Sequence, residues 1–248
     1  MLYPVQAHQD LKKIALFFND IRFFMGNSVL DGMMGTAYVD HPTQPKIAFL
    51  QVRNYCFMSG IIEKEDLKVI LEQNFSDNIF IPSNNISKIL EELYPNQLIK
   101  KERYSLKKDV IFDIPKLEHM ANLLPKEIVI CKIEENLAKR IKEEKFINIT
   151  DDYKTYGVGF CCMHQNEIIG VASSSIYYSD GIEVNIKVKE AYRKQGIATA
   201  MASHLILECI KQKKKVSWDA ANLHSLGLAE KLGFEYDSAY SIYQFYSP

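Results

Sequence analysis

The stretch that decides the fold is EAYRKQGIATAMASHL, residues 190–205. A single glycine, Gly196, stands between a basic cluster and an alanine-rich run that favours a helix. The first N–H groups of a helix have no partner within the helix and carry the positive end of its dipole. Gly196 lets a ligand approach the backbone closely, and Arg193 and Lys194 add positive charge beside it. The turn therefore has the properties of a site for phosphate or diphosphate.

The short pattern has low specificity by itself, because a plain glycine turn before a surface helix has the same residues. Two other phosphate-binding patterns are excluded. The sequence has no GxxxxGK[ST] string, which excludes a P-loop. GVGFCC at residues 157–162 begins like a dinucleotide fingerprint but lacks the third glycine and a following helix.

The elements around the turn follow from hydrophobic period and turn residues. In the second half we predict, in order, strand, helix, three antiparallel strands, the glycine turn, helix, strand, helix and strand. The expected bounds are 127–133, 134–145, 158–164, 167–178, 182–188, 196–212, 216–220, 222–232 and 234–246. Asn222 suits the N-cap of the last helix and Gly233 its C-terminal end.

The first half indicates a mixture of helices and strands, and Pro125 marks the best boundary. We predict helices at 7–19, 63–74 and 86–93 and strands at 36–39, 47–52 and 97–106, and leave 25–34 unassigned. No internal repeat is evident. We therefore expect two domains, residues 1–125 of unknown role and residues 126–248.

Composition narrows the class of protein. The chain has 248 residues, 47% of them hydrophobic and 25% charged, so a packed core is expected. A net charge of −1 argues against a dedicated nucleic-acid binder. Five cysteines without a CxxC pair indicate neither a disulfide framework nor a metal site. Since no signal pattern and no membrane-spanning apolar run occur, we expect a cytoplasmic protein without membrane contact.

Over residues 126–246, the order of elements and the strings VKEAYRKQGIATAM and WDAANLHSLGLAEKLGFEY resemble the GNAT superfamily of acetyl-CoA-dependent N-acetyltransferases. The chain length and the string SWDAAN look like the zwittermicin A resistance-type branch. The resemblance implies an α/β (α+β) fold, a mixed and mostly antiparallel sheet flanked by helices. An additional N-terminal α/β domain precedes it. That domain has three open interpretations: a degenerate copy of the fold, a lid over the substrate, or the surface of a homodimer.

In this superfamily the coenzyme A diphosphate lies on the backbone amides of the turn, and the pantetheine arm pairs with the edge of the preceding strand. Asn222 matches a position that contacts pantetheine or the thiol. The cofactor-binding residues implied by the resemblance are Ile186, Lys187, Val188, Arg193, Lys194, Gln195, Gly196, Ile197, Ala198, Thr199 and Asn222.

The implied chemistry is direct attack of a substrate amine on the thioester carbonyl, which needs a base to deprotonate the amine. Glu183 is the first candidate; the alternative is an exposed carboxylate at a strand edge. Asp219 is the second candidate, and its alternative is a carboxylate at a strand end or turn. A backbone N–H near Val188 is expected to stabilise the oxyanion. For Trp218, core packing is favoured over a place in the acceptor pocket.

One residue departs from the family pattern. Many members have a tyrosine in the last helix that protonates the leaving thiolate, and here that position holds Ala229. Ser225, one of Tyr236, Tyr240 and Tyr243, or water are the remaining candidates for this role.

The sequence thus predicts an N-acetyltransferase that moves an acetyl group from acetyl-CoA to a primary amine of a small molecule, such as an antibiotic or metabolite. A catalytically inactive module that binds or senses acyl-CoA is the alternative, favoured by the missing tyrosine.

Overall fold

The computed structural model describes residues 1–5, 8–19, 24–75, 77–107, 109–150 and 153–246. The chain forms two compact units, residues 1–103 with 239–248 and residues 104–238. Two strands, β6 and β13, pass from one unit into the other along the chain. Within the described residues, no helix has the length and apolar character needed to cross a membrane.

The first unit contains a mixed sheet in the order β1-β2-β3-β4-β5-β13. Its neighbours are antiparallel except β4 and β5, which are parallel. The elements are β1 (Tyr3–Val5), α1 (His8–Ala15), a 3-10 turn (Leu16–Phe18), α2 (Phe24–Leu30), β2 (Thr36–Val39), β3 (Ile47–Val52), β4 (Tyr55–Gly60), α3 (Lys64–Asn74), β5 (Ile79–Pro82), α4 (Asn84–Leu93) and β6 (Leu98–Leu106). Its core joins apolar residues of β3, β4, α3 and α4.

The second unit contains a five-stranded sheet in the order β11-β10-β9-β8-β7, antiparallel except for the parallel pair β10–β11. The elements are α5 (Ile114–Ala121), β7 (Ile128–Lys132), α6 (Glu135–Glu143), α7 (Tyr153–Tyr156), β8 (Gly159–His164), β9 (Glu167–Tyr178), β10 (Gly181–Val188), a 3-10 turn (Glu190–Tyr192), α8 (Ile197–Lys211), β11 (Lys215–Ser217), β12 (Asp219–Ala220), α9 (Leu223–Leu232) and β13 (Tyr236–Phe245).

Most predicted elements are confirmed. β2, β3 and β9 have the predicted bounds, and the other predicted helices and strands differ at their ends by a few residues. The strand predicted at 216–220 is interrupted: β11 pairs with β10, and β12 pairs with the end of β6, Asp219 opposite Ser105. The unassigned stretch 25–34 contains most of α2.

The compact units differ from the domains predicted at residues 1–125 and 126–248. Residues 104–125 pack with the second unit because α5 lies against α8. Leu117 and Met120 of α5 share a core cluster with Ala202, Ile206 and residues of α9.

The same order of elements occurs twice. Both β1 to β6 and β7 to β13 run strand, helix, helix, three strands, helix, strand, helix, strand, when β11 and β12 are counted as one interrupted strand. In each copy the third and fourth strands are antiparallel and the fourth and fifth are parallel. The N-terminal unit therefore has the element order of a second copy of the fold.

Candidate active site

The glycine turn forms an open seat at the N-terminus of α8. Gly196 is the N-cap residue with φ +82°, a left-handed conformation that glycine adopts without strain. No side chain caps the helix, and the first bond within it runs from Ala200 N to Gly196 O. The N–H groups at the start of the helix, from Ile197 to Thr199, are therefore available to a ligand. A Cβ placed on Gly196 would have Leu124 Cδ2, at 3.9 Å, as its nearest neighbour, so the space above the glycine is open.

A cavity of about 150 Å³ marks the seat. Its lining consists of the end of β10 and the turn: Val188, Tyr192, Arg193, Lys194, Gly196, Ile197, Ala198 and Thr199. Ile197 and Thr199, in the first turn of α8, are buried. Basic side chains and unpaired helix N–H groups make this cavity suitable for an anion.

Side chains around the turn hold its shape. Arg193 Nε donates to Val188 O at 3.4 Å, and Gln195 Nε2 donates to Ala191 O at 3.2 Å. The Tyr192 hydroxyl lies 3.2 Å from His164 Nδ1. Of the predicted cofactor residues, Arg193 and Gln195 thus have structural contacts in this state.

The parallel strands β10 and β11 pair over only three residues. Gly181, Ile182 and Glu183 lie opposite 215–217, and the chain then turns away at Trp218 to pair with β6. β12 belongs to a different sheet from β10, so the described strands give β10 no neighbour on this side from Val184 onward. This opening in the sheet runs along β10 from Glu183 towards the α8 turn.

Backbone groups of β10 point into this opening in an alternating pattern. Lys189 N donates to Ile169 O, its direct partner on β9, so every second residue before it faces β9 as well. Lys187, opposite Val171, is such a residue. Val184, Ile186 and Val188 consequently direct their N–H and C=O groups away from β9. Within the predicted set, Ile186 and Val188 face the opening, and Lys187 contributes its side chain, which lies over the Phe146 ring at 5.3 Å.

Glu183 lies at the closed end of the opening and is buried, with 4% of its surface exposed. Its Oε1 accepts from the Asp219 backbone N–H at 2.7 Å, and Oε2 accepts from Ser217 Oγ at 2.5 Å. The interpretation of Glu183 as an exposed edge carboxylate is wrong, because the chain folds residues 217–219 over it. The carboxylate joins β10 to Ser217, the last residue of β11, and to Asp219 beyond it.

Two further groups surround this carboxylate. Asp219 is half-buried on β12. Tyr178 is buried beside Ser217, and burial raises the pKa of its phenol, with the charge of Glu183 as a further cause. The phenol therefore stays protonated at neutral pH.

Ser225 lies in the first turn of α9 and is held by two hydrogen bonds, one that it donates and one that it accepts. Its backbone N–H donates to Asn222 Oδ1 at 3.0 Å, and its Oγ accepts from Trp218 Nε1 at 3.0 Å. Asn222 is thus the N-cap predicted from the sequence, and its carboxamide nitrogen is the part left to meet a ligand. Trp218 is buried and packs edge-on against Phe234, which confirms its core position.

The tyrosines named as alternatives to Ser225 lie elsewhere along β13. Tyr236 is exposed, and Tyr240 and Tyr243 belong to the first unit. The Tyr243 hydroxyl donates to Glu91 Oε1 at 2.6 Å. Ala229 is fully buried in the core cluster that contains Trp218.

Sequence reasoning missed Ser217 and the bond between Trp218 and Ser225. The position of Ser217 depends on the register of β10 and β11, which places it opposite Glu183. The bond between Trp218 and Ser225 depends on the path of the chain from β11 through β12 into α9. The string SWDAAN after a short strand was the signal available in the sequence. It does not show which strand pairs with this segment, and so it could not predict these contacts.

Comparisons with known proteins identify the family of the chain. Residues 15–243 match the model of the GNAT acetyltransferase family. The chain is similar to the uncharacterized N-acetyltransferase YdfB of Bacillus subtilis, with 25% identity over 234 residues, 87% of this chain and 88% of that protein. It is also similar to the solved structure of a GCN5-related N-acetyltransferase-like protein from Streptococcus suis, with 31% identity, a TM-score of 0.87 and coverage of 96% of this chain and 99% of that chain.

A tandem GNAT protein from the clavulanic acid biosynthesis pathway shares the fold at 8% identity and a TM-score of 0.55, over 100% of this chain and 99% of that one. Since the family model spans nearly the whole sequence and the S. suis protein exceeds 30% identity, the chain belongs to the GNAT acetyltransferase family.

Proposed function

We propose that this acetyltransferase moves the acetyl group of acetyl-CoA to a primary amine of a small molecule. The observation that carries the proposal is the uncapped α8 N-terminus with its left-handed glycine, beside an opening in the sheet. The diphosphate of coenzyme A is the ligand proposed for these N–H groups. It brings the negative charge that a helix N-terminus favours, and Arg193 and Lys194 add to the attraction.

The pantetheine arm is proposed to lie in the opening, paired with the backbone of Ile186 and Val188. Its amides then complete backbone hydrogen bonds that, in the part of the chain the structure describes, no strand supplies on this side of β10 beyond Glu183. The thioester accordingly lies towards Glu183, and the Val184 N–H, which faces the opening, is the proposed donor to the developing oxyanion. This position is four residues earlier on β10 than the N–H expected near Val188.

Glu183 is the proposed base, acting through water because both of its oxygens already accept protein hydrogen bonds. Each carboxylate oxygen has a second lone pair that can accept from a water molecule. The amine nitrogen loses its proton to that water as it attacks the carbonyl carbon. Asp219, half-buried on β12, is the second candidate.

Ser225 is the proposed proton donor to the thiolate that leaves. Ser225 lies one helical turn before Ala229, on the same face of α9. A phenol at position 229 would require repacking of a fully buried site, so a hydroxyl one turn earlier is the better placed group.

The N-terminal unit is proposed to bind no cofactor. The turn before its α3 corresponds to the α8 turn in element order, but Glu63, Glu65 and Asp66 occupy its first positions. Carboxylates there repel a diphosphate. In addition β4 and β5 pair over four residues, Tyr55 to Met58 opposite Ile79 to Pro82, which leaves little of β4 open. We propose one acetyl-CoA per chain.

The proposal also covers the compartment, the branch of the family and the assembly of the protein. We propose a cytoplasmic enzyme of the zwittermicin A resistance-type branch, supported by the string SWDAAN and the chain length. A homodimer is the proposed assembly if the N-terminal unit serves as a subunit surface.

The competing proposal is a module that binds acyl-CoA without turning it over. It is favoured by the engaged oxygens of Glu183 and by Ala229 at the usual tyrosine position. To decide between them, the purified chain is incubated with acetyl-CoA and a panel of small primary amines. Release of coenzyme A thiol and the mass of the product are measured. Amine-dependent release of thiol supports the transferase. Calorimetric binding of acetyl-CoA with no release for any amine supports the sensor instead.

A further inference from the structure

Three consecutive residues connect the proposed base to the proposed acid. Ser217 and Asp219 donate to the Glu183 carboxylate, and Trp218 between them donates to Ser225. The side chain of Trp218 reaches α9, where its indole N–H meets Ser225. From this arrangement we propose that Trp218 is a positioning residue, which orients the Ser225 hydroxyl towards the departing thiolate. This inference rests on the proposed function.

The direction of the hydrogen bond between them is fixed by chemistry. An indole N–H only donates, so Ser225 Oγ must be the acceptor in the 3.0 Å contact with Trp218 Nε1. The single proton of Ser225 is then left for another acceptor. Among the described residues, the structure gives that hydroxyl no acceptor. The serine thus retains a proton to donate, and Trp218 restricts the directions in which it points.

The environment of Ser225 also favours loss of this proton. A hydrogen bond received by the oxygen stabilises its negative form more than its neutral form. Ser225 is in the first turn of α9, where the helix dipole favours negative charge. Both effects make the hydroxyl a better acid than a serine in water.

Trp218 is itself held rigidly. It is 6% exposed, its ring packs edge-on against Phe234 with centroids 5.6 Å apart, and its two chain neighbours are bound to Glu183. A donor fixed on both sides positions its acceptor more strongly than a mobile one does.

The amine nitrogen forms a bond to the carbonyl carbon, and the C–S bond breaks with its electron pair on sulfur. Ser225 gives its proton to sulfur. Glu183 takes the proton of the amine nitrogen through water, and that proton then passes through water to the serine, so that both residues return to their starting forms. The products are an amide and a neutral thiol.

The test uses the full-length chain and four variants, W218F, S225A, S225T and the double variant W218F/S225A. Phenylalanine keeps an aromatic ring in the core and removes the indole N–H, while threonine keeps the hydroxyl. Glu230→Ala, at an exposed position later in α9, is the matched control. Rates of acetyl transfer and dissociation constants for acetyl-CoA are measured for each variant, and circular dichroism reports folding.

We expect S225A to lower kcat by roughly 10²-fold and W218F by about tenfold, with the acetyl-CoA dissociation constant unchanged. S225T restores most of the rate, and the double variant is no slower than S225A, because Trp218 acts through the serine. The deficit of S225A shrinks as the pH rises past the ordinary thiol pKa of about 8.5, since a thiolate then needs no proton.

Additive losses in the double variant, or a pH-independent deficit, overturn the inference and indicate that Trp218 only packs. Full activity in W218F overturns it as well. These outcomes are distinct from failure of the proposed function, in which the unsubstituted chain itself shows no amine-dependent transfer.

Discussion

Glu183 Oε1 accepts a 2.7 Å hydrogen bond from the backbone N–H of Asp219, across the point where the two parallel strands separate. The Glu183 side chain thereby takes the place of the next backbone hydrogen bond between the two strands. The same carboxylate is the proposed base, so its structural and chemical roles must be separated by experiment.

Glu183→Gln separates the two roles. Glutamine retains a carbonyl oxygen for the Asp219 N–H, and Ser217 Oγ keeps Ile182 O, 3.0 Å away, as an acceptor. We expect folding and acetyl-CoA binding to persist and kcat to fall roughly 10²-fold, because the amide cannot act as a base. Stopped assays of thiol release give the rate and calorimetry gives the affinity. Asp219→Asn is the comparison, with a smaller expected loss. If E183Q keeps the full rate, Glu183 has only the structural role.

Gly196, the N-cap of α8, has a left-handed backbone conformation, whereas Gly227 lies inside the helix α9. At φ +82° an alanine costs about 1–2 kcal/mol, and a tryptophan would also fill the seat. We therefore expect Gly196→Ala to weaken coenzyme A binding and Gly196→Trp to abolish it. Gly227, inside α9 with open space around it, is the control: Gly227→Ala should stabilise the fold by about 0.5–1 kcal/mol. Thermal unfolding and calorimetry report both effects. Undiminished binding by G196W would place the cofactor elsewhere.

The number of cofactors bound per chain tests the proposal that the N-terminal unit binds none. Because Glu65 and Asp66 stand in the first turn of α3, calorimetric titration with coenzyme A should give a stoichiometry near one. G196W should remove all of the binding, whereas Glu65→Gln should leave it unchanged. A second equivalent of cofactor, or half of the binding surviving in G196W, contradicts a cofactor-free N-terminal unit.

The cysteines provide a prediction about pH. Burial raises the pKa of Cys161, Cys162 and Cys209 to about 12 and that of Cys56 still further, so these thiols stay protonated between pH 7 and 9. Cys131 is half-buried on β7. In the native protein we expect one thiol to react readily with a disulfide reagent at pH 8, and all five after unfolding. Two or more fast thiols in the native state would show that the core opens readily.

Sequence reasoning predicted the second unit best because its elements have clear periods and turn residues. The helix face of Ile197, Met201, Leu205 and Cys209 is buried as expected. β4 was missed because its residues are mostly apolar and buried on both faces, so no alternation distinguishes a strand from a helix. A degenerate copy of the fold was one of three interpretations left open for the N-terminal half, because the repeated element order lies in the topology rather than in similar residues.

The candidate site shows a similar division. The glycine turn and the Asn222 cap are local features, and short patterns were sufficient to predict them. The burial of Glu183 and the contact from Trp218 to Ser225 join segments that are far apart or separated by a strand break. Such contacts depend on strand register, which no local pattern determines.

The central claim, that acetyl-CoA lies on the α8 turn with its thioester in the opening of the sheet, is tested most directly by a crystal structure of the protein with bound acetyl-CoA. We predict that the diphosphate accepts hydrogen bonds from the N–H groups at the start of α8. We also predict that the pantetheine pairs with Ile186 and Val188, and that the sulfur lies within hydrogen-bond distance of Ser225 Oγ. A cofactor bound away from Gly196, or a sulfur that no hydroxyl of α9 reaches, would contradict the account.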